Sequence, residues 1–358
     1  MYKRVFVSDI HMTAGWGFTG STGAYDWFTK KNAADFLAFL KYVRGDASIN
    51  EVILLGDIMD GWLYPYDVQP PSYEVIADAF HIKPIIQELQ LLAQVKPVTY
   101  VEGNHDINIT DAAFAGFRTK YFPNIPFQKK PYVTNDGIYA QHGHEYLMWN
   151  APDPNPNHKL PIGYYITRLQ AGVHAYAQML FTIPDIASTI LHELSSPTAL
   201  TDAPLDFLIK NLNKVRHVDD KTQIVNAAGA TAIGQVRNDY AGLTSDWEHH
   251  SKYGPVKSIE FEADDIWEPA NDLAFATNNK IIVFGHKHKE GNTLLQPAAG
   301  GTPWGIYANC GSWCDLGSND PSYIVTEYDK AGQTHSVTLW HWRKQSPVYV
   351  LSNQINIP

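Results

Sequence analysis

Gly103-Asn104-His105-Asp106 closes the run Pro97-Val98-Thr99-Tyr100-Val101 and opens a polar loop. That run is apolar, β-branched and aromatic, and reads as a buried strand. The same grammar recurs along the chain. Val5-Phe6-Val7 runs into Ser8-Asp9-Ile10-His11, and Val52-Ile53-Leu54-Leu55 into Gly56-Asp57-Ile58-Met59-Asp60. Ile138-Tyr139-Ala140 runs into Gln141-His142-Gly143-His144, and Ile281-Ile282-Val283-Phe284 into Gly285-His286-Lys287-His288. In open α/β sheets, ligands bind beyond the carboxyl ends of the strands. Runs that each end in Asp, His or Asn therefore predict one site on which they converge.

The segments between these runs complete an α/β pattern. A strand is expected over residues 2–8, and a helix over 32–43, where Ala33, Phe36, Leu37, Leu40 and Val43 fall at helical spacing and Gly45 ends it. A second strand covers 51–55. Residues 73–93 read as a helix that Pro84 kinks or divides. Up to Gly103 this is a βαβαβ start, which implies parallel, buried strands joined by crossover helices. Short strands are expected at 132–133 and 138–141. The Pro- and Asn-rich stretch after Trp149 reads as a linker. Residues 161–245 read as helices, 246–260 as irregular and 264–276 as a helix. Strands resume at Lys280 and recur at 305–309, 323–328, 336–342 and 348–351, as an antiparallel tail. The expected organisation is one core from residues 1–150 and 279–358, split by a mainly helical insertion over 151–278. Both ends of the insertion emerge beside ligand blocks, so it is expected to cap the active site, the alternatives being a dimer interface or plain core packing. Its expected mixed helical face sets Tyr164, Tyr165, Leu169, Tyr176, Met179, Leu180 and Phe181 against Arg168, Gln170 and Gln178.

The 358 residues permit one large core with an insertion. A formal net charge of -10 argues against a nucleic-acid partner, which calls for a basic surface. An anionic substrate then needs positive charge concentrated at the site, and metal ions supply it. Cys310 and Cys314 read as small residues beside a strand end rather than as a disulfide or metal pair. The amino terminus enters a strand at once. The apolar stretch 164–194 is broken by Arg168, His174, Pro184, Asp185 and Glu193, so no membrane span is expected. The expected compartment is the cytoplasm, with peripheral membrane contact left open.

Asp9, His11, Asp57, Asn104, His142, His286 and His288 offer carboxylate, imidazole and amide oxygen, with no thiolate. That mixture suits manganese, iron or zinc better than calcium. It exceeds what one tetrahedral ion needs, so two ions sharing a carboxylate is the economical count. Two-metal sites hold their ions about 3.5–4 Å apart and stabilise both the attacking and the leaving oxygen of an in-line displacement.

The order D-x-H, G-D-x-x-D, G-N-H-D, H-G-H, G-H-x-H resembles the calcineurin-like metallophosphoesterases, and as a set it is highly specific. The resemblance spans Asp9 to His288 and leaves out the insertion. It implies two packed β-sheets flanked by helices in a four-layer, α+β-like α/β arrangement, with two metal ions at the strand ends. It implies that Asp9, His11, Asp57 and His288 hold one ion and that Asp57, Asn104, His142 and His286 hold the other. It implies attack of a metal-activated water on phosphorus, His105 as the general acid, Asp60 as the carboxylate that orients it, Asp106 as a loop support, and His144 outside the ligand set. A narrower similarity, through Ser8-Asp9-Ile10-His11 and Gly56 to Trp62, is to the UDP-2,3-diacylglucosamine pyrophosphatase branch. That branch often has Arg at the position of His105 and a shorter helical cap. The protein Ser/Thr phosphatases have Glu where this chain has Asp106.

The resulting expectation is a dinuclear metal-dependent phosphoesterase acting on a P–O bond of a phosphomonoester or phosphodiester. Its expected partner is a phosphorylated small molecule, lipid or protein. The alternatives are a pyrophosphatase on a nucleotide-lipid, a protein phosphatase, a nuclease, and a binding module without catalysis. Trp16, Trp62, Tyr64, Tyr66, Trp149, Trp304 and Trp313 lie in loops near the ligand blocks. They are expected either to line the substrate pocket or to pack the loops.

Overall fold

The computed structural model of the chain describes residues 1–15, 27–153, 155, 158–193, 200–227, 229–277, 279–295, 302–314, 320–329 and 334–356. Trp16 lies outside the described residues. The strand alternation of the amino-terminal half decides the layering. In β1 (Tyr2–Val7), Val5 and Val7 join the core under the helices while Phe6 joins a separate core between two sheets. In β2 (Ile49–Leu55), Val52 and Leu54 face the helices and Ile53 and Leu55 face the second sheet. Successive side chains of a strand point to opposite faces, so a wholly apolar run implies cover on both.

The first sheet has seven strands. β1, β2, β3 (Val98–Val101) and β4 (Phe127–Gln128) are parallel, and β12 (Ser322–Asp329), β13 (Thr334–Arg343) and β14 (Ser346–Asn356) add antiparallel beyond β1. The second sheet has five strands in the order β10 (Gly291–Leu295), β11 (Gly305–Asn309), β9 (Ile281–Phe284), β6 (Ile138–Ala140), β5 (Tyr132–Val133). Within it β6, β9 and β11 are parallel. Helices α1 (Lys30–Gly45), α2 (Tyr73–Asp78), α3 (Lys83–Val95) and α4 (Ala115–Tyr121) cover the outer face of the first sheet. The chain is therefore a mixed α/β fold of two packed sheets flanked by helices. Local chemistry sets the helix ends. Thr29 and Asn32 form a capping box at the start of α1. Pro84 divides the expected long helix and sits in the first turn of α3, where its missing N–H costs nothing.

Between β6 and β9 lie α5 (Ile162–Gly172), α6 (Ile183–Glu193), α7 (Ala203–Leu212), α8 (Ile233–Asp239), α9 (Leu243–His250), α10 (Pro255–Ala263) and α11 (Trp267–Ala276). Two departures from expectation occur here. Residues 246–260 are not irregular, since α9 and α10 cover most of them, and a small antiparallel hairpin, β7 (Gln223–Asn226) with β8 (Gly229–Ala232), interrupts the helices. The helices share a core that includes Ile166, Leu169, Leu208 and Ile259 and extends onto Tyr66 and Trp149. Helix α11 packs instead on the second sheet, with Ala270 and Ala274 against Ile282 and Phe284.

The expected polar face of α5 is absent. Arg168 is fully buried and donates to the carbonyls of Tyr64, Pro65, Val68 and Val225 and to the Tyr164 hydroxyl. Its guanidinium is satisfied by carbonyls of the 64–68 loop, so the helix is buried on that side as well. Leu180, expected on the apolar face, is exposed.

Candidate metal centre

The strand exits turn sharply. Asp9, His11, Asp57, His286 and His288 all have left-handed backbone, with φ of 53°, 52°, 54°, 68° and 54°. Non-glycine residues take this conformation at a cost of order 1–3 kcal/mol, and such strain clusters at functional sites. Backbone bonds stitch the exits together: Asp9 N–H donates to Gly56 O at 3.1 Å, His11 N–H to Asp57 O at 2.9 Å, and Gly285 N–H to His142 O at 3.0 Å. The loops approach so closely that a Cβ on Gly103 would lie 2.5 Å from the Asp57 nitrogen.

This geometry gathers the polar atoms into two groups joined at Asp57. In the first, His288 Nε2 lies 3.2 Å from Asp9 Oδ1 and 3.0 Å from His11 Nε2, and His11 Nε2 lies 3.8 Å from Asp57 Oδ2. In the second, His142 Nε2 lies 3.1 Å from Asp57 Oδ2, and His286 Nδ1 lies 3.0 Å from Asn104 Oδ1. The candidate atoms of Asp57, His142 and His286 all fall within 4.8 Å of one another. Donors about 2.0–2.2 Å from one ion stand roughly 3–3.6 Å apart, which is the spacing of most of these pairs.

The remaining contacts leave ligand atoms free. Leu55 O accepts from His142 Nδ1 at 2.8 Å, which leaves the Nε2 lone pair facing Asp57, and that buried nitrogen has no hydrogen-bond partner. Asp57 Oδ1 accepts from His105 N–H at 2.8 Å, which leaves Oδ2 between the two groups. Asp60 Oδ2 lies 2.7 Å from Nδ1 of both His11 and His105. It therefore sets the tautomer of His11, beyond its expected part beside His105. Asp106 accepts from Gly103 N–H at 2.6 Å, Ile58 N–H at 2.8 Å and the Tyr100 hydroxyl at 2.5 Å, and so braces the loop.

The field of the site demands positive charge. Burial depresses the His142 imidazole, but Asp57 and Asp9 outweigh it and push the pKa up to about 10. Burial opposes the ionisation of Asp57, yet the surrounding imidazoles hold it well below the usual carboxylate range. Burial, with His142 and Lys287, keeps His286 neutral and able to ligate. Buried carboxylates, imidazole nitrogens and an amide oxygen at these spacings fit divalent metal ions.

A cavity of ≈ 230 Å³ opens over the site, lined by Asp57, Asn104, His105, His286 and His288 from the strand exits and by Thr167, Thr182, Ile183, Pro184 and Glu262 from the segment between β6 and β9. Trp62 stacks on His105 with ring centres 4.4 Å apart. Of the other loop aromatics, Trp149 and Trp313 are fully buried and Tyr66 packs among the insertion helices, so these serve packing. Four participants carry no recognisable motif in the sequence. Trp27 lies 4.9 Å edge-on to His11, Cys314 Sγ lies 3.5 Å from His288 Nδ1, and Asn150 and Glu262 line the wall. Cys314 thus sits against a candidate ligand, closer to the site than its sequence context implies. His144 is buried 5.4 Å, ring to ring, from His142.

Comparison with known proteins adds a family resemblance. Residues 2–166 match the family model for calcineurin-like phosphoesterases, a span that includes the first four ligand blocks and stops short of His286. No curated protein matches the sequence. Among solved structures, Vps29 of Chaetomium thermophilum is 9% identical over 100% of both chains with a TM-score of 0.35. A predicted phosphoesterase of Streptococcus pneumoniae is 11% identical over 99% of this chain and 97% of its own, with a TM-score of 0.32. A nuclease of Pseudomonas putida is 18% identical over 39% of this chain and 53% of its own, with a TM-score of 0.25. Residues 2–166, whose strand exits bring Asp9, Asp57, Asn104 and His142 together, are thus similar to the calcineurin-like phosphoesterases.

Proposed function

We propose that the chain is a dinuclear metal-dependent hydrolase of P–O bonds, acting on a small phosphorylated molecule. The observation that carries this reading is the position of Asp57 Oδ2, 3.8 Å from His11 Nε2 on one side and 3.1 Å from His142 Nε2 on the other, as a shared carboxylate requires. When bound, the ions stabilise charge on the phosphoryl oxygens and make a water nucleophilic near neutral pH. The cavity wall itself supplies little countercharge for a phosphate. Among the described residues that line it, Lys287 is the one Lys or Arg, and its Nζ is committed to the carbonyls of Phe261 at 2.6 Å and Glu262 at 2.8 Å. His105 is buried beside Asp60 and Asp57, which raise its pKa against the opposing effect of burial. With Nδ1 held by Asp60, its Nε2 is the atom that delivers a proton to the leaving oxygen. Insertion residues wall the cavity, which favours a small ester over a folded protein or a duplex. The test is a panel of phosphate monoesters, diesters and pyrophosphates assayed with Mn²⁺, Zn²⁺ and Fe²⁺ against a chelated control. Metal-dependent turnover of at least one class is expected. No turnover together with no metal bound after reconstitution overturns the proposal.

A further inference from the structure

One buried carboxylate of the cavity wall has no part in that chemistry. Glu262 lies in the last turn of α10 and is 2% exposed. Its Oε1 accepts from Asn150 Nδ2 at 2.7 Å. Asn150 Oδ1 in turn accepts from Asn104 Nδ2 at 3.2 Å. Asn104 Oδ1 is then left on the side of His286, 3.0 Å from its Nδ1. A file of three side chains thus connects an insertion helix to a candidate metal ligand.

The file has a direction. An amide presents an oxygen at one end and an NH₂ at the other, and the two ends fill almost the same volume. Only the oxygen binds a cation. Burial pushes the Glu262 pKa up to about 7 against Lys287 and the Asn150 amide, which favour the ionised form; the carboxylate accepts and does not donate, so it obliges Asn150 to turn its NH₂ toward α10 and its oxygen toward Asn104. Asn104 must then turn its NH₂ toward Asn150 and its oxygen toward the site. Two further contacts hold the file in place. A Cβ on Gly163 would strike Asn150 Oδ1 and lie 2.6 Å from Trp149 O, so α5 closes directly over Asn150. Lys287, between two candidate ligands, donates to the carbonyls of Phe261 and Glu262 and ties the end of α10 to the G-H-x-H turn.

We infer that Glu262, acting through Asn150, is a positioning residue that fixes the amide orientation of Asn104, so that the insertion sets the occupancy of the metal site formed by Asp57, Asn104, His142 and His286. The inference rests on the proposed two-metal reading. Residues that orient metal ligands typically contribute 10–100-fold to metal affinity.

The experiment titrates the purified, metal-free full-length chain with Mn²⁺ by calorimetry and repeats the titration with Co²⁺ to record the visible spectrum of each bound ion. Wild type is expected to take up two ions. Glu262→Leu is expected to keep the ion held with Asp9 and His288 and to bind the other about 10–100-fold more weakly. Glu262→Gln retains an acceptor oxygen and is expected to stay within about 3-fold of wild type, well inside that range. The double variant Asn150→Asp/Glu262→Leu offers Asn104 only acceptors, so it is expected to restore the second ion. Asn150→Ala removes the link without touching α10 and is expected to match Glu262→Leu, which keeps the test available if Glu262→Leu fails to fold. Unchanged second-ion affinity in Asn150→Ala, or no rescue in the double variant, overturns the inference while leaving the two-metal reading intact. A wild type that binds no ion overturns both.

Discussion

Asp60 serves two imidazoles with one oxygen, and this makes its replacement informative. His11 Nδ1 and His105 Nδ1 both lie 2.7 Å from Oδ2, while Oδ1 accepts from Trp62 N–H at 2.6 Å. Burial alone would depress the His105 pKa; Asp60 and Asp57 raise it above the ordinary histidine value. The acid form of His105 therefore persists to higher pH than in a free histidine. Asp60→Asn removes one of these charges, so the limb of kcat that falls with rising pH should move to lower pH. An unmoved limb would show that His105 is not the titrating acid. His105→Ala should lower kcat by about 10²–10⁴-fold, less for esters with good leaving groups, with metal content as in wild type. At the end of β3, just before the Gly103 turn, burial pushes Glu102 up to about 7 despite its bonds to Thr110 and the nearby Lys129. A carboxyl whose folded pKa is raised favours the folded state below its unfolded pKa, and that contribution is lost as pH rises through the folded value. Glu102→Gln should accordingly be more stable than wild type near about pH 8 and lose that advantage by about pH 4.5. Melting temperatures of the two proteins across that range check the sign.

At the scale of elements, the strand exits are the parts under greatest constraint. Gly103 packs against the Asp57 backbone and carboxylate, so Gly103→Ala must displace Asp57, the proposed shared ligand. It should destabilise the chain by roughly 1–3 kcal/mol and reduce bound metal. Gly116 offers a control, since it lies in α4 with nothing within 4 Å of an added Cβ. Gly116→Ala should stabilise by roughly 0.5–1 kcal/mol and leave metal binding unchanged. Equal behaviour of the two variants in denaturation and metal analysis would count against a special role for the Gly103 turn. The same locality explains what was legible beforehand. A strand, its exit and its ligand lie within about ten residues, so periodicity and residue chemistry announce them together. Pro84 announces the break between α2 and α3 for the same reason. Helices α9 and α10 were hidden because their buried faces mix apolar with polar residues: Thr244 beside Leu243 and Trp247, and Ser258 and Glu262 beside Ile259 and Phe261. The hairpin β7–β8 was hidden because β8 consists of Gly and other small residues and carries no strand signal of its own.

The whole molecule adds what no local pattern contains, namely the wall of the cavity. The bond from Asn150 to Glu262 joins residues 112 positions apart, and the Arg168 bond to Tyr64 joins residues 104 apart. Pairings at that distance arise from how the segment between β6 and β9 packs on the rest, so the convergence of the strand exits was readable in the sequence and the pocket lining was not. Thr182, Ile183 and Pro184, at the start of α6, lie in the cavity beside the candidate ligands His286 and His288. None of the candidate metal ligands lies on α6, so the shape of the wall can be altered without altering the metals. Ile183 is only partly buried, which leaves room for a larger ring without overpacking a closed core. Ile183→Trp should therefore narrow the ≈ 230 Å³ cavity while preserving metal content and melting temperature. Turnover of bulky phosphoesters should fall by at least about 10-fold in kcat/KM, since a steric change of one or two methylenes is worth about that much. Turnover of the smallest ester accepted should change far less. A parallel loss on small and large esters, with metals retained, would mean that α6 supports the fold of the site without selecting what enters it.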